Sequence, residues 1–280
     1  MTEQQTLLAI YAHPDDEILG PGGTLARCAA EGVRVVLATA TRGEAGEIQR
    51  PGTATPETLP EVREQELRCS AEALGIDEVI ILGYRDSGMA GTPENDHPDA
   101  LVNAPARAVV GQLVGLIRRV QPQVVLTFEP YGGYGHPDHI AVNRHTVAAF
   151  SAASDPSLYP THGPVWRPQR LIYPIVPLFL FEEMKERVTA HGGDTTRFDE
   201  MIMTRKQRAW PDHEIHIVVD VSEYVEQKWQ AFHCHRTQFG PESRFQQLPE
   251  EEMKELLSTE YFALSHPAAD KKLAGLFEGL

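Results

Sequence analysis

Between residues 7 and 152, short apolar runs alternate with amphipathic stretches, and this alternation constrains the fold more than any other feature of the chain. Leu7-Leu8-Ala9-Ile10-Tyr11-Ala12 has no polar face, as expected of a strand buried on both sides. Residues 33–41, 77–82 and 123–128 are runs of the same kind. Between them lie helical patterns at 24–31, ended by Gly32, at 60–74, ended by Gly75, at 105–120 and at 140–152. Strand and helix in that rotation mean βαβ units. The expected fold class is therefore α/β: a Rossmann-like, mostly parallel sheet flanked by helices, with a C-terminal extension.

From residue 154 the rhythm loosens. Pro156, Pro160, Pro164, Pro168, Pro174 and Pro177 point to loops and edge strands rather than a central strand. Residues 215–221 read as a strand and 222–235 as an amphipathic helix with Val225, Trp229 and Phe232 on one stripe. Glu250-Glu251-Glu252 reads as the opening of a solvated helix, with 243–248 leading into it. No repeat or low-complexity linker interrupts the 280 residues. A single domain is expected, with 1–153 as its core and 154–280 as an extension that shapes a substrate site.

Charge and composition narrow the function. Forty Asp and Glu against 25 Lys and Arg leave a net charge of −15, which argues against a general nucleic-acid binder, since phosphates are held by Lys and Arg. No apolar run reaches the roughly 18 residues of a membrane span, and Met1-Thr2-Glu3-Gln4-Gln5 lacks a basic leader region. Cys28, Cys69 and Cys234, odd in number and widely spaced, form neither a disulfide framework nor a thiolate zinc site. Cys28 and Cys69 fall in helical patterns and read as small core residues. The expected setting is a reducing cytoplasm, the expected partner a small molecule; a homo-oligomer is left open.

The chemistry is concentrated in two motifs, each placed after an expected strand. In an open parallel sheet, ligands bind at the carboxyl ends of the strands. His13-Pro14-Asp15-Asp16-Glu17 follows the first strand, and a His and an Asp three apart on a turn can converge on one metal, a donor set that suits zinc. Asp15, between them, points elsewhere and stays free of the metal. The plain alternative is a strand-to-helix turn whose acids cap a helix. Tyr134-Gly135-His136-Pro137-Asp138-His139 follows the strand ending at Phe128. Together His13, Asp16 and His139 make a three-ligand site with an open position, the arrangement of a catalytic zinc. Asp138 reads as a group that orients a ligand from behind. A His₂Asp set also accepts iron(II).

These residues resemble the LmbE/PIG-L family of zinc-dependent N-deacetylases, which act on N-acetylglucosamine-containing substrates; the mycothiol-pathway members, a deacetylase and a conjugate amidase, are nearest in motif. The likeness continues through Gly43-Glu44-Ala45-Gly46-Glu47, Arg63, Tyr84-Arg85-Asp86-Ser87-Gly88-Met89-Ala90-Gly91-Thr92, Gly132-Gly133-Tyr134-Gly135 and His235-Arg236-Thr237-Gln238. It is strong to about residue 150 and thin between 155 and 220. It implies His13, Asp16 and His139 as zinc ligands, Asp15 as general base, His136 as the group that stabilises the oxyanion, and Tyr134 as a mobile helper; the chemistry of the step itself asks for a cationic His136 beside the zinc and leaves Asp15 and His136 both open as the donor to the departing amine. It implies further that Glu47, Arg63 and Asp86 hold the sugar and that His235, with Gln238, closes the pocket or contacts substrate. The activity so implied is metal-dependent hydrolysis of an N-acetyl group. An amidase for a larger N-acyl group, such as a thiol conjugate, and a non-catalytic carbohydrate-binding relative are the alternatives.

Three other features carry less. His97-Pro98-Asp99 repeats the first tripeptide, but in a turn-rich segment with no strand before it, so a surface loop is expected. His233-Cys234-His235 cannot bind one ion from a helix, where successive residues point about 100° apart. Gly20-Pro21-Gly22-Gly23 lacks both the phosphate-loop ending and the dinucleotide-binding order, which makes a Rossmann dehydrogenase remote.

Overall fold

The computed structural model describes residues 4–208, 210–240, 243, 247–267 and 272–280. Its strands are β1 (Thr6–Tyr11), β2 (Arg34–Thr39), β3 (Glu78–Ile81), β4 (Val124–Leu126), β5 (Arg170–Ile175), β6 (Ile217–Asp220) and β7 (Thr259–His266). They form one seven-stranded sheet of order β3-β2-β1-β4-β5-β7-β6. The pairs from β3 to β5 are parallel, and β7 runs antiparallel to both β5 and β6. The helices are α1 (Asp16–Leu19), α2 (Gly22–Ala30), α3 (Leu59–Leu74), α4 (Ala106–Val120), α5 (Pro137–Ala152), α6 (Leu178–Ala190), α7 (Thr196–Arg208), α8 (Val225–Cys234) and α9 (Glu250–Leu257). The α/β class expected from the alternation, a mostly parallel sheet flanked by helices, is what forms.

β1 is buried along its whole length, which is why its sequence carries no polar face. Leu8 and Ile10 pack with Val114 and Ile117 of α4 and Val142 of α5. Leu7, Ala9 and Tyr11 point the other way, onto Leu25 of α2 and Leu67 of α3. Each such fully buried Leu or Ile contributes on the order of 2 kcal/mol. A third cluster, with Ile18, Phe181, Met184, Trp229, Phe232 and Met253, joins α1 to α6, α8 and α9.

The C-terminal half departs from expectation in several places. Residues 170–175 form an internal strand, not an edge. The parallel ladder with β4 ends at Ile172, so the amide that Pro174 lacks lies beyond it. Pro177 stands just before α6 as its N-cap, and the absence of proline from 178 to 210 lets α6 and α7 form where loops were expected. β7 was not foreseen, although Tyr261-Phe262-Ala263-Leu264 is an apolar run. The helix expected at 24–31 starts earlier, at Gly22, because Glu260 of β7 accepts the Gly23 and Thr24 amides at 2.8 Å each and Lys228 Nζ at 2.7 Å. The helix expected from 222 is a short 3₁₀ turn, Ser222–Tyr224, before α8. Of the expected lead-in 243–248, residues 244–246 lie outside the described residues.

The cysteine reading is corrected. Cys69 of α3 and Cys234 of α8 form a disulfide across 165 residues of sequence. The spacing could not announce it, because the pair is brought together by the packing of α3 on α8. Cys28 alone is the small buried residue expected. Among the described residues no helix is long and apolar enough to cross a membrane.

Candidate active site

The strand order reverses between β1 and β4, whose neighbours leave in opposite directions, and in such sheets that switch point opens a crevice at the carboxyl ends. Both motifs flank it. β1 runs into His13-Pro14-Asp15-Asp16, where the turn holds Asp15 at φ 109°, a left-handed conformation that costs a non-glycine residue about 1–3 kcal/mol and persists only where the surroundings enforce it. The enforcement is visible. The Asp15 amide donates to Glu17 Oε2 at 2.9 Å, while Glu17 Oε1 takes Ser70 Oγ at 2.5 Å and His235 Nε2 at 2.6 Å.

The ring nitrogens of two histidines are assigned by their partners. His13 Nε2 lies 3.3 Å from Asp138 Oδ2 and 3.4 Å from Asp86 Oδ1, which makes it the protonated nitrogen. His139 Nδ1 lies 3.1 Å from the Gly132 carbonyl, and its ring stacks on Phe128. The inward nitrogens, His13 Nδ1 and His139 Nε2, face each other at 3.2 Å. Asp16 completes the triangle, with Oδ2 3.6 Å from His13 Nδ1 and Oδ1 3.3 Å from His139 Nε2. Donors about 2.1 Å from one tetrahedral ion stand about 3.4 Å apart; the two ring nitrogens stand at that spacing, each beside a different oxygen of the Asp16 carboxylate. Among the described residues, the groupings that offer one donor atom each close enough to share an ion are His13–His136–His139 and His13–Asp86–Asp138.

The field at this point favours a cation. Burial alone would lower His13, yet the carboxylates of Asp86, Asp138 and Asp16 raise it well above the ordinary range. Burial alone would raise Asp16, yet His139 and His13 hold it well below the carboxylate range. Carboxylates behind a ligating histidine fix its tautomer and strengthen it as a donor; Asp138 is itself held by the Ser87 amide at 2.9 Å and the Ser87 hydroxyl at 2.5 Å.

Asp15 stands beside this triangle without joining it. Its carboxylate meets Arg63 Nη2 at 3.2 Å, and burial pushes it up to about 7 against the pull of the guanidinium and with a further push from Asp16. His136 is the N-cap of α5, its Nδ1 accepting the Asp138 amide at 3.2 Å. An accepting Nδ1 carries no proton, so Nε2 does. Burial, His13 and His139 together push His136 down to about 4. Burial and the two neighbouring histidines thus act against the cationic form expected of His136. Tyr134 stands over the histidines, 56% exposed, with its ring 5.1 Å from that of His139.

The residues expected to hold the sugar divide. Glu47 is exposed, its side chain bonded to Gln49 and its carbonyl to Gln238. Arg63 is only 3% exposed, donating to the Pro14 and Gly43 carbonyls as well as to Asp15. Asp86 is 3% exposed, with Oδ1 taking the Gly88 amide and Oδ2 the Ala45 amide besides facing His13. His235 is 0% exposed, so it neither closes the pocket nor touches a substrate; it anchors Glu17, because the packing of α8 on α3 carries it beneath the motif. Sequence reasoning missed Ser70, Ser87 and the role of Glu17. It also missed the buried Glu66, which fixes the Thr237 amide and hydroxyl. His97 and Asp99 lie on an exposed loop whose backbone pairs with Arg85, beside Asp86, and among the described residues neither belongs to a grouping of donors close enough to share an ion.

Comparison with known proteins agrees with this geometry. A family model described as GlcNAc-PI de-N-acetylase, PIG-L, matches residues 8–150. A 1D-myo-inositol 2-acetamido-2-deoxy-alpha-D-glucopyranoside deacetylase from Geodermatophilus obscurus is 37% identical over 100% of this chain and 99% of its own length. One of the same name from Thermobifida fusca is 38% identical over 93% of this chain and 92% of its own. Among solved structures, the N,N'-diacetylchitobiose deacetylase from Pyrococcus horikoshii superposes with a TM-score of 0.63 at 21% identity, covering 94% of this chain and 84% of that one, which is a likeness of fold. With its motifs at the sheet's switch point and relatives matched over its full length, the chain belongs to the PIG-L family of de-N-acetylases.

Proposed function

We propose that this chain is a zinc hydrolase that removes the N-acetyl group from a glucosaminyl small molecule in the cytoplasm, with iron(II) as the metal's alternative. The full-length relatives make 1D-myo-inositol 2-acetamido-2-deoxy-alpha-D-glucopyranoside the first substrate to test. One observation carries the reading: His13 Nδ1, His139 Nε2 and the Asp16 carboxylate converge within 3.2–3.6 Å of one another, beside a buried carboxylate, Asp15, that is not among them.

His13, Asp16 and His139 would hold the ion, with Asp86 and Asp138 setting His13. A bound zinc polarises the amide carbonyl and lowers the pKa of water from 15.7 to about 7. Asp15 takes a proton from the attacking water as its oxygen bonds to the acyl carbon. His136 Nε2–H donates to the carbonyl oxygen as charge gathers there, a contact whose loss costs about 10²–10³ in rate. When the C–N bond breaks, the amine nitrogen needs a proton. Asp15, which took one from the water, returns it. Glu47, exposed after β2, would meet sugar hydroxyls, while Arg63 and Asp86 would act on the sugar's position through Asp15 and His13.

The test is release of acetate from the inositol glycoside and from N-acetylglucosamine, before chelation, after it, and after restoring zinc or iron(II). Release that vanishes on chelation and returns with metal supports the reading. No release at full metal occupancy overturns it.

A further inference from the structure

The disulfide between Cys69 and Cys234 sits between two hydrogen-bonded ties that join α3 to the end of α8. In the first, Ser70 and His235, the residues that follow the two cysteines, both reach Glu17 Oε1, at 2.5 and 2.6 Å. In the second, Glu66 takes the Thr237 amide at 2.8 Å and the Thr237 hydroxyl at 2.5 Å. Arg63, Glu66 and Ser70 stand three and four residues apart along α3, so one face of the helix carries them. These polar partners are all buried, whereas Cys69 is exposed and Cys234 half-buried. A reagent in solvent therefore meets the sulfurs before it meets the ties.

Both ties end where the chemistry is placed. Glu17 Oε2 takes the Asp15 amide at 2.9 Å and so helps to hold Asp15 at φ 109°, a conformation that persists only while its surroundings enforce it. The Thr237 carbonyl takes the Gln49 amide at 2.8 Å, which fixes the loop after β2. With the sulfurs joined, the end of α8 is held to α3 covalently. With them parted, the hydrogen bonds alone oppose local opening, and native proteins open piecewise at their less firmly held segments.

We propose that the Cys69–Cys234 disulfide is a site of thiol attack and a reducible clamp on the Asp15 turn: a dithiol reductant opens it, the turn loosens, and hydrolysis slows. The clause on hydrolysis rests on the hydrolase reading above. A thiolate of the reductant attacks the exposed Cys69 sulfur, a mixed disulfide forms, and Cys234 leaves as a thiolate. The second thiolate of the reductant then attacks its own sulfur in the mixed disulfide, Cys69 leaves, and the reductant departs as a disulfide. Two electrons pass from the dithiol to the cystine, and its two protons end on Cys69 and Cys234. Exposed disulfides are the labile ones, and those found in reducing compartments serve as sensors.

The experiment uses the full chain in two forms, oxidised and reduced with dithiothreitol, the reagent then removed and the metal content matched. Amide hydrogen exchange is followed in metal-free protein, and acetate release from the inositol glycoside in metal-loaded protein. Reduction should speed exchange of the Asp15 and Thr237 amides by at least about tenfold while the β1 amides stay protected. A displacement of about 1 Å can cost about 100-fold in rate, so kcat should fall by at least about tenfold. Oxidised glutathione should reverse both changes. Cys69→Ser with Cys234→Ser should match the reduced form and ignore dithiothreitol, and Cys28→Ala should respond as the unaltered chain does. Equal exchange and equal turnover in the two forms overturn the inference and leave the deacetylase reading intact, as does faster exchange with unchanged turnover. Exchange that quickens in β1 as much as at Asp15 overturns it too, because the bond then serves only the fold. Loosening confined to the Asp15 turn and Thr237, with no amide hydrolysed by either metal-loaded form, upholds the clamp and overturns the deacetylase reading.

Discussion

Arg63 reaches Asp15 from inside the protein: Nη2 lies 3.2 Å from Asp15 Oδ2 and 2.6 Å from the Pro14 carbonyl, and Nη1 lies 3.0 Å from the Gly43 carbonyl. One guanidinium thus fixes the carboxylate, the turn that carries it and the loop beside it. Arg63→Met should lower kcat at least tenfold. A cation beside a carboxylate favours its charged form, so removing it raises Asp15 further, and the acid limb of the kcat/KM profile should move to higher pH. Loss of rate with an unmoved limb would show that Arg63 serves only the fold.

Asp15→Ala should keep its metal and lose about 10²–10⁴ in kcat, the usual worth of a general base. Metal analysis beside the rate separates this from a ligand. His139→Ala, in contrast, should lose the metal itself.

Gly132 adopts φ +70°, and a Cβ there would lie 2.6 Å from His139 Cβ. Gly132→Ala should therefore displace His139 and weaken zinc binding by about 10–100-fold, the range seen when a ligand's support is disturbed. Competition with a chelator measures it.

Glu17 and His235 are buried 2.6 Å apart. Burial opposes both charges, yet Glu17 raises His235 above its ordinary 6.5 and His235 lowers Glu17 below its ordinary 4.5. The His235 contribution is full below pH 6.5 and fades as pH rises through its raised folded value; the Glu17 contribution is full above 4.5 and fades as pH falls. Removing one partner of such a pair costs about 3–5 kcal/mol. His235→Leu should cost most between pH 4.5 and 6.5 and less at alkaline pH, as read by urea unfolding of metal-free protein.

Of the three cysteines, two are joined and burial pushes the Cys28 thiol up to about 12. Native protein should show no reactive thiol, and denatured protein one per chain, rising to three after reduction. Breaking the cross-link with Cys69→Ser and Cys234→Ser should cost about 2–5 kcal/mol. Cytosolic disulfides are rare, so three thiols in protein alkylated within cells would show the reduced form where it works.

The sequence by itself determined the parallel core and the meeting of the two His/Asp motifs. β1 must be apolar on both faces to lie at the centre of a covered sheet, and that requirement is written in consecutive residues. His13, Asp16, His136 and His139 sit in two short motifs just after strands, so chain connectivity alone delivers them to one end of the sheet. Tertiary structure decided what surrounds them. Ser70 and His235 stand 53 and 218 residues from Glu17, and Cys69 meets Cys234 only because α3 packs on α8. Pro174 reads as an edge signal, yet it sits in an internal strand because its missing amide falls past the end of β4. His136 takes an amide from Asp138 and is packed among histidines, and no motif shows either contact. Periodicity and short motifs record interactions between residues close in the chain; long-range packing, which aims a side chain and sets its protonation, leaves no local mark.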